Sequence, residues 1–434
     1  METIKNLFWK SSMPLIKPVI YSLLASSLIL GQGTMNAFGL GHFYNNQGIG
    51  SAGNGVNDLA PSFQSNVSLA NPSTWHHLKF THLSLSYSGD KNSVSEPSLL
   101  NGYSGLSNAV WIVPIKTKWS FGLVVSPYAD QRISISSQES EPFIAFGDTL
   151  NLVKSIDRAG GILAFKIGTS YLIRENFSMG LFMDMLFGSS RQNESVFFDG
   201  SSIIQTSRIR YSGVLSKIFI STAVGEKINL FTSLQYPIKP LDGLYTAKHL
   251  FDDANGNGYH DYSSPTDFPL PDSVSAKEEI RFTNLHEPSQ YAFGIQSNLN
   301  KSTAIALELN AFKDDGDLSR VTLPMNDWIN SSNQIKLSLT RFPNDLSMDL
   351  IDKFSFRSGF SLNTHTLATS GIGIREVGGA LGFGFKFKAT GNQIDMNYYL
   401  GKRDYTDNYK TEIVQQIQLG ISLADLWFVK RRQK

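Results

Sequence analysis

The residues whose types and spacing best suit a chemical role lie at positions 253–261, which read Asp-Ala-Asn-Gly-Asn-Gly-Tyr-His-Asp. Side chains with oxygen ligands stand at positions 1, 3, 5 and 9 of this stretch, and glycine stands at position 6. A calcium loop has this order, and its seventh position binds through a backbone carbonyl. The twelfth position is Ser264, not the glutamate of an EF-hand. The stretch therefore predicts a structural Ca²⁺ site or, alternatively, a turn rich in Asn, Asp and Gly. The candidate ligands are Asp253, Asn255, Asn257, Tyr259 and Asp261.

Motifs of other chemistry are weak or missing. Residues 48–53 satisfy Gly-x-Gly-x-x-Gly, but this pattern indicates a dinucleotide site only between a strand and a helix. Here Asn and Gln precede it and Asn54-Gly55 follows, so we interpret it as irregular backbone that glycine permits. The sequence lacks Gly-x-Ser-x-Gly, His-Glu-x-x-His and cysteine. We expect no enzymatic activity and no cofactor besides the possible Ca²⁺. A hydrolase with Ser, His and an acidic residue clustered at a barrel rim remains an alternative.

Composition restricts the class of protein. Only 17% of the 434 residues are charged and 12% are aromatic, which excludes a disordered chain. The formal net charge is +1, so there is no general basic field and we expect no nucleic-acid partner. The mean hydropathy of −0.14 is too polar for a bundle of membrane helices. A soluble enzyme and a membrane β-barrel both remain.

The amino terminus has the pattern of a secretory leader. Lys5, Lys10 and Lys17 precede an apolar run from Pro18 to Leu30. That run is shorter than the roughly 20 residues a membrane-spanning helix needs, and it fits the apolar region of a signal peptide. We predict a signal peptide over residues 1–37, cleaved after Ala37, with cleavage after Gly33 or a retained anchor as alternatives.

Beyond the leader, large apolar residues alternate with small or polar ones. The clearest segments are residues 83–87, 177–187 and 381–388. Successive side chains of a strand point to opposite faces, so each segment has one apolar face. The other face carries mainly Gly, Ser, Ala and Asn, whereas a soluble sandwich turns a charge-rich face to water. The pattern predicts an all-β fold, a transmembrane antiparallel β-barrel of about 14 strands over residues 77–428. Aromatic residues near segment ends predict interfacial girdles: Tyr87, Tyr128, Tyr171, Phe177, Tyr236 and Tyr291.

Three segments resemble the start of a known family. Phe38–Phe43, Gly48–Gly53 and Ser68–Ser73 stand in the order found in long-chain fatty acid transport proteins of the FadL/TodX type. In that family a Gly-rich amino-terminal hatch ends in Asn-Pro-Ala and plugs a fourteen-stranded outer-membrane barrel. Asn71 and Pro72 match the motif, with Ser73 in place of alanine. The resemblance implies a hatch over residues 38–76 inside the lumen.

The resemblance also implies passive uptake of long-chain fatty acids or similar hydrophobic molecules across the cell outer membrane. Outer-membrane lipids and the barrel assembly machinery would be the other partners. Apolar contacts to the ligand would come from Phe38, Leu40 and Phe43. Cations in the luminal phase could meet a carboxylate, although such lysines usually pair with acidic residues across the barrel. These are Lys166, Lys336, Lys386 and Lys388.

Two features depart from that pattern. Trp427-Phe428 is followed by a basic tail, residues 429–434, which we expect in the periplasm. A similar tail occurs in distant PorV-type relatives, so a partner in protein secretion or envelope assembly is the alternative function. The proline-rich stretch 239–289 shows no convincing strand, and we predict it as a long extracellular loop.

Overall fold

The computed structural model describes residues 34–44, 48–55, 59–94, 99–116, 118–136, 141–145, 148–198, 201–251, 278–344, 349–387, 391–406 and 411–425. One antiparallel sheet dominates it, and 14 of its 18 strands follow one another around a closed ring. We number the ring strands β1 to β14. They are β1 Thr81–Val94, β2 Leu99–Lys116, β3 Trp119–Asp130, β4 Asp148–Arg174, β5 Phe177–Phe198, β6 Ser201–Val224, β7 Ile228–Phe251, β8 Pro288–Asn298, β9 Thr303–Asp314, β10 Ile329–Arg341, β11 Phe354–Leu367, β12 Gly373–Lys386, β13 Gln393–Tyr405 and β14 Glu412–Asp425.

Strand β14 closes the ring by pairing with β1, from Asp425 opposite Thr81 to Glu412 opposite Val94. The barrel predicted from the alternation is therefore confirmed. Among the described residues, no helix is both long and apolar enough to cross a bilayer.

The two faces of the strands divide as the alternation predicts. Leu83, Leu85 and Tyr87 of β1 are exposed on the outside, whereas the serines between them are buried inside. In β5 the outward face is Met179, Leu181, Met183, Met185 and Phe187. Apolar side chains thus meet lipid and polar ones meet the lumen, which is the arrangement of outer-membrane barrels.

Strands β4 to β7 contain 27, 22, 24 and 24 residues. A tilted strand crosses the hydrocarbon layer with about 9–11 residues, so these four rise well beyond it at one end. Short turns join the strands at the opposite end, for example between Arg174 and Phe177. Because outer-membrane barrels have short periplasmic turns, the tall end is the extracellular one.

The stretch 239–289 is not a loop throughout, which corrects our prediction. Strand β7 continues to Phe251, and a further strand, Glu278–His286, pairs with β7 before β8 begins at Pro288. We had taken the prolines as evidence against a strand. Pro237 and Pro240 fall at register shifts of the β6–β7 ladder, where no ladder hydrogen bond is required, so the strand can contain them. The predicted calcium ligands and the basic tail lie outside the described residues.

The described residues between 34 and 78, which we call the inner segment, lie inside the barrel. They form short helices at Thr34–Ala37, Ile49–Asn54 and Pro72–His77 and a two-residue strand, His42–Phe43. Ala60 N donates to Glu308 Oε1 of β9 at 2.7 Å, and Arg357 Nε of β11 donates to the carbonyl of Ser62 at 3.0 Å. The segment runs from the extracellular end, at Thr34, to the short-turn end, at His77.

Buried hydrophobic residues form three clusters around the inner segment. The cluster at the short-turn end joins Phe63, Leu69 and Trp75 to Ile112 and Phe182 of the wall. The two clusters at the extracellular end form around Leu40 and around Met35 with Phe38. The core therefore lies between the segment and the wall, and it leaves the middle of the lumen open.

Candidate functional site

The middle of the barrel encloses a cavity of about 220 Å³. The inner segment contributes Asn36, His42, Phe43 and Leu59 to its walls, and inward residues of nearly all the strands contribute the rest. Most of these wall residues are amides, hydroxyls or charged groups. A site for an apolar molecule has mainly apolar walls with a few polar groups, whereas the exposed surface of this cavity divides about equally between polar and apolar atoms.

A row of amides crosses one side of the cavity. Lys217 Nζ donates to Gln290 Oε1 at 3.3 Å, and Gln290 Nε2 donates to Asn310 Oδ1 at 3.0 Å. Asn310 Nδ2 reaches Gln334 Oε1 at 3.4 Å, which extends the row onto β10. Lys217 also lies over the ring of Phe219, 5.3 Å from its centroid. The row fixes each amide orientation and presents a hydrogen-bonding surface to the cavity.

Ion pairs occupy other parts of the wall. Lys166 Nζ lies 3.8 Å from Asp184 Oδ2, between neighbouring strands β4 and β5. Arg403 Nη2 lies 2.7 Å from Glu376 Oε2, and the Tyr399 hydroxyl donates to the other oxygen of Glu376 at 2.5 Å. Charges that are already paired across the wall have little left to offer a ligand carboxylate.

An aromatic and imidazole group holds the inner segment at the extracellular side. Phe43 stacks on His286, with ring centroids 5.1 Å apart and planes 14° apart. His286 Nδ1 lies 2.5 Å from Asp314 Oδ2, and the hydroxyl of Tyr128 lies 2.7 Å from His286 Nε2. A neutral imidazole that donates from Nδ1 accepts the tyrosine hydrogen at Nε2. Tyr128 was predicted in an outer girdle, but it points into the lumen.

Several buried polar atoms on the cavity wall have no hydrogen-bond partner among the described residues. They include Asp184 Oδ1, Ser233 Oγ, Ser332 Oγ and Asn363 Oδ1. Buried polar groups without a protein partner are usually satisfied by ordered water. The wall chemistry therefore suits a hydrated cavity.

The barrel wall separates beside the cavity. The described ladder between β2 and β3 runs only from Lys116 opposite Trp119 to Ala109 opposite Val125. Beyond it, Ala129 and Asp130 of β3 pair with Phe43 and His42 of the inner segment. Strand β3 thus leaves its neighbour at its extracellular half and joins the segment in the lumen.

The structure separates the residues that we predicted as ligand contacts. Phe43 lines the cavity, whereas Phe38 and Leu40 are buried in the two extracellular clusters. Lys166 and Lys336 line it as well. Lys386 does not: it is buried near the short-turn end of β12, close to His82. Lys388 lies outside the described residues.

Asn71 and Pro72 begin the helix Pro72–His77, and their role is structural. Asn71 Oδ1 accepts from Ser73 N at 3.1 Å and from Ser73 Oγ at 2.6 Å, as a helix N-cap does. Asn71 Nδ2 donates to the carbonyl of Leu59 at 2.7 Å. Proline occupies the first helical position, where its missing N–H costs nothing. The motif thus fixes the turn that returns the segment to the wall.

Metal ligands do not gather within the part of the chain that the structure describes, where no three His, Asp or Glu residues are placed to hold an ion. The sequence reasoning missed Lys217, Glu376 and Arg403. The signal for Lys217 was ambiguous, because Leu215 and Phe219 share its inward phase and look lipid-facing.

The fold and the luminal segment define an outer-membrane barrel of the FadL type. Solved structures with this fold include a Pseudomonas aeruginosa FadL homologue, at a TM-score of 0.57 and 11% identity, covering 88% of this chain and 98% of that one. They also include the Ralstonia pickettii toluene transporter TbuX, at 0.51 and 12%, covering 90% and 99%. The Pseudomonas putida toluene transporter TodX matches at 0.51 and 12%, covering 89% and 99%.

A profile of the BamG family matches residues 20–434. The chain therefore belongs to the BamG family. No curated protein matches its sequence significantly.

Proposed function

We propose that this protein is a non-enzymatic accessory barrel in the assembly of outer-membrane proteins. The observation that carries the proposal is the row of amides and ion pairs in the wall of the central cavity, which makes it more polar than the passage of an apolar molecule requires. The family name BamG follows the naming of β-barrel assembly machinery subunits. A barrel whose inner segment is packed against the wall at both ends of the lumen can act through its surfaces, without moving a substrate through its centre.

The transport of hydrophobic molecules, long-chain fatty acids in particular, is the second candidate. The separation of β2 from β3 supports it, because Asn108 of β2 and Tyr128 of β3, next to this opening in the wall, both line the cavity. The solved structures of similar fold include proteins titled toluene transporters. In this case Phe43 and Phe312 would contact the apolar part of the ligand, and Lys217, whose Nζ bonds an amide oxygen, would be the cation that meets a carboxylate.

Depletion of the protein in its own host tests the proposal. We expect the folded, heat-modifiable fraction of other outer-membrane barrels to fall, while uptake of labelled oleate and toluene by intact cells stays unchanged. Unchanged barrel assembly together with lost uptake would overturn the proposal and support transport. Mass spectrometry of the organic extract from the detergent-purified protein, against an unrelated barrel prepared identically, gives a second readout. Specific enrichment of fatty acids or hydrocarbons there would also support transport.

A matched pair of variants separates the two functions at the cavity. Ser233 of β7 faces the cavity and the neighbouring Thr232 faces outward, so Ser233→Trp fills the cavity and Thr232→Trp does not. For an assembly subunit we expect both variants to restore barrel assembly in the depleted strain. A transporter would lose uptake with Ser233→Trp alone.

A further inference from the structure

The inner segment begins at a buried acidic residue of the barrel wall. Thr34 N donates to Glu412 Oε1 at 3.1 Å, and Thr34 Oγ1 donates to Glu412 Oε2 at 2.5 Å. The Glu412 side chain is only 1% exposed. The hydroxyl of Tyr405 also contacts Thr34 Oγ1. The two ends of this contact are 378 residues apart in the chain, so it anchors the segment to β14.

One arginine serves both buried carboxylates at this contact. Arg403 lies between them, with Nη2 at 2.7 Å from Glu376 and Nη1 at 2.8 Å from Glu412. Lys336 stands opposite Glu308 in the β9–β10 ladder, and its charge also acts on Glu376. Among the described residues, the ion-pair partner of Glu412 is therefore an arginine that it shares, and a second cation at this buried carboxylate would be stabilising.

The sequence before Thr34 fits a cleavage site. Gly31 and Gly33 stand at the −3 and −1 positions of a cut after residue 33, where leader peptidases require small residues. A cut after Ala37 has Met35 at −3 instead. That cut would also remove Met35 and Asn36, both buried. Met35 packs with Ile329, and Asn36 Nδ2 donates to the carbonyl of Arg132 at 2.9 Å.

We propose that the chain is cleaved after Gly33 and that the new α-ammonium group of Thr34 forms an ion pair with Glu412 inside the barrel. Hydrolysis of the Gly33–Thr34 bond consumes one water, leaves a carboxylate on Gly33 and converts the amide nitrogen of Thr34 into an ammonium. This cation gives Glu412 an ion-pair partner that it does not share with Glu376. The amide donates one hydrogen bond, whereas the ammonium offers three charge-assisted ones. Leader removal thereby completes the anchor of the inner segment.

The first experiment determines the amino terminus of the protein purified from outer membranes, by mass spectrometry of its amino-terminal peptide. We expect the mature chain to begin at Thr34. A chain that begins at Phe38, or at any residue other than Thr34, overturns the proposal. This measurement uses the wild-type protein and does not depend on a variant that folds.

The second experiment tests the ion pair through the reactivity of the α-amine. An unpaired α-amine has a pKa of about 7.7–8.0, so much of it is neutral and reactive at pH 8. Pairing with Glu412 raises this pKa, and a pKa higher by about one lowers the neutral fraction at pH 8 about fivefold. We expect the Thr34 amine to react with acetic anhydride about fivefold more slowly in the folded wild type than in Glu412→Gln.

Asp404→Asn is the matched control. Asp404 lies next to Arg403 at the extracellular end of β13, and its Oδ1 is 3.1 Å from Nζ of the exposed Lys402. Its Thr34 amine should react as slowly as that of the wild type. If Glu412→Gln does not fold, urea-denatured wild-type protein replaces it as the reactive reference. Equal rates in the folded wild type and the reference would disprove the ion pair.

Discussion

The indole ring of Trp75 lies directly against the backbone of Gly168, on the luminal face of β4. A Cβ atom at position 168 would be 2.7 Å from Trp75 Cη2, closer than real Cβ contacts come. Gly122 on the neighbouring strand β3 is equally close, at 2.6 Å from Trp75 Cζ3. Gly122 and Gly168 face each other across the β3–β4 ladder and leave space for a large side chain. Trp75, the only tryptophan of the inner segment, occupies this space and is completely buried.

We expect Gly168→Ala to destabilise the barrel by about 1–3 kcal/mol, because the added methyl group overpacks the contacts with Phe182 and Trp75. Unfolding in urea, followed by tryptophan fluorescence in detergent, measures the change. Gly379→Ala is the control, since this glycine faces outward and the nearest atom to an added Cβ is 3.8 Å away. A Gly168→Ala protein as stable as Gly379→Ala would show that the contact can relax freely.

Removal of the Asn71 cap should loosen the inner segment at its short-turn end. Asn71→Ala leaves the buried Ser73 N and the carbonyl of Leu59 without partners, at a cost of about 1–3 kcal/mol. We expect faster proteolysis within residues 59–78 of the folded variant, measured by mass spectrometry of the fragments. Asn66→Ala, on an exposed turn of the same segment, should be cut at the wild-type rate. Equal rates for the two variants would contradict the structural role of the cap.

The pair Arg357–Asp395 is completely buried, with Nη1 and Oδ1 2.6 Å apart. Arg357→Met should cost about 3–5 kcal/mol, because it leaves the Asp395 charge uncompensated inside the barrel. The double variant Arg357→Met with Asp395→Leu should regain most of that loss, since no buried charge remains. Equilibrium unfolding of the wild type, both single variants and the double variant completes the cycle. A double variant less stable than Arg357→Met would contradict this reasoning.

His76 and His77 should make the inner segment sensitive to acid. Their rings are 3.9 Å apart, and burial together with the neighbouring His76 lowers the pKa of His77 to about 4. The unfolded residue titrates near pH 6.5. Between pH 6.5 and about 4 the unfolded chain therefore binds more protons than the folded chain. We expect stability to fall as the pH drops from about 6.5 to about 4 and to be insensitive to these rings above 6.5. Because more than a third of His77 is exposed to solvent, the slope should be shallow.

Unfolding midpoints at a series of pH values measure this effect. His77→Gln should flatten the decline between pH 6.5 and 4 and leave the midpoint at pH 8 unchanged. A decline of the same steepness in His77→Gln would assign the acid sensitivity to other groups.

The inner segment was predictable only in outline. Asn71-Pro72 marked the end of the segment through its resemblance to the FadL/TodX motif, and the structure shows that this pair begins its last helix. The partner of each side chain was not visible, since Thr34 meets Glu412 and Ser62 meets Arg357 from opposite ends of the chain. Phe38 and Leu40 were predicted as ligand contacts because an apolar residue in a lumen can either line a cavity or pack in a core. The sequence does not show which of the two partners such a residue meets.

The sequence by itself determined the barrel and which face of each strand meets lipid. Alternation with a period of two is a local property, and every strand must satisfy it independently. Only the tertiary structure decided what the lumen contains. Tyr128, in the inward phase of Val124 and Ser126, meets Phe43 of the inner segment, and Lys217 joins the cavity because its inward neighbours Leu215 and Phe219 pack in the clusters around that segment. Contacts between distant parts of the chain set the polarity of the cavity. These contacts cannot be predicted from the pattern of neighbouring residues.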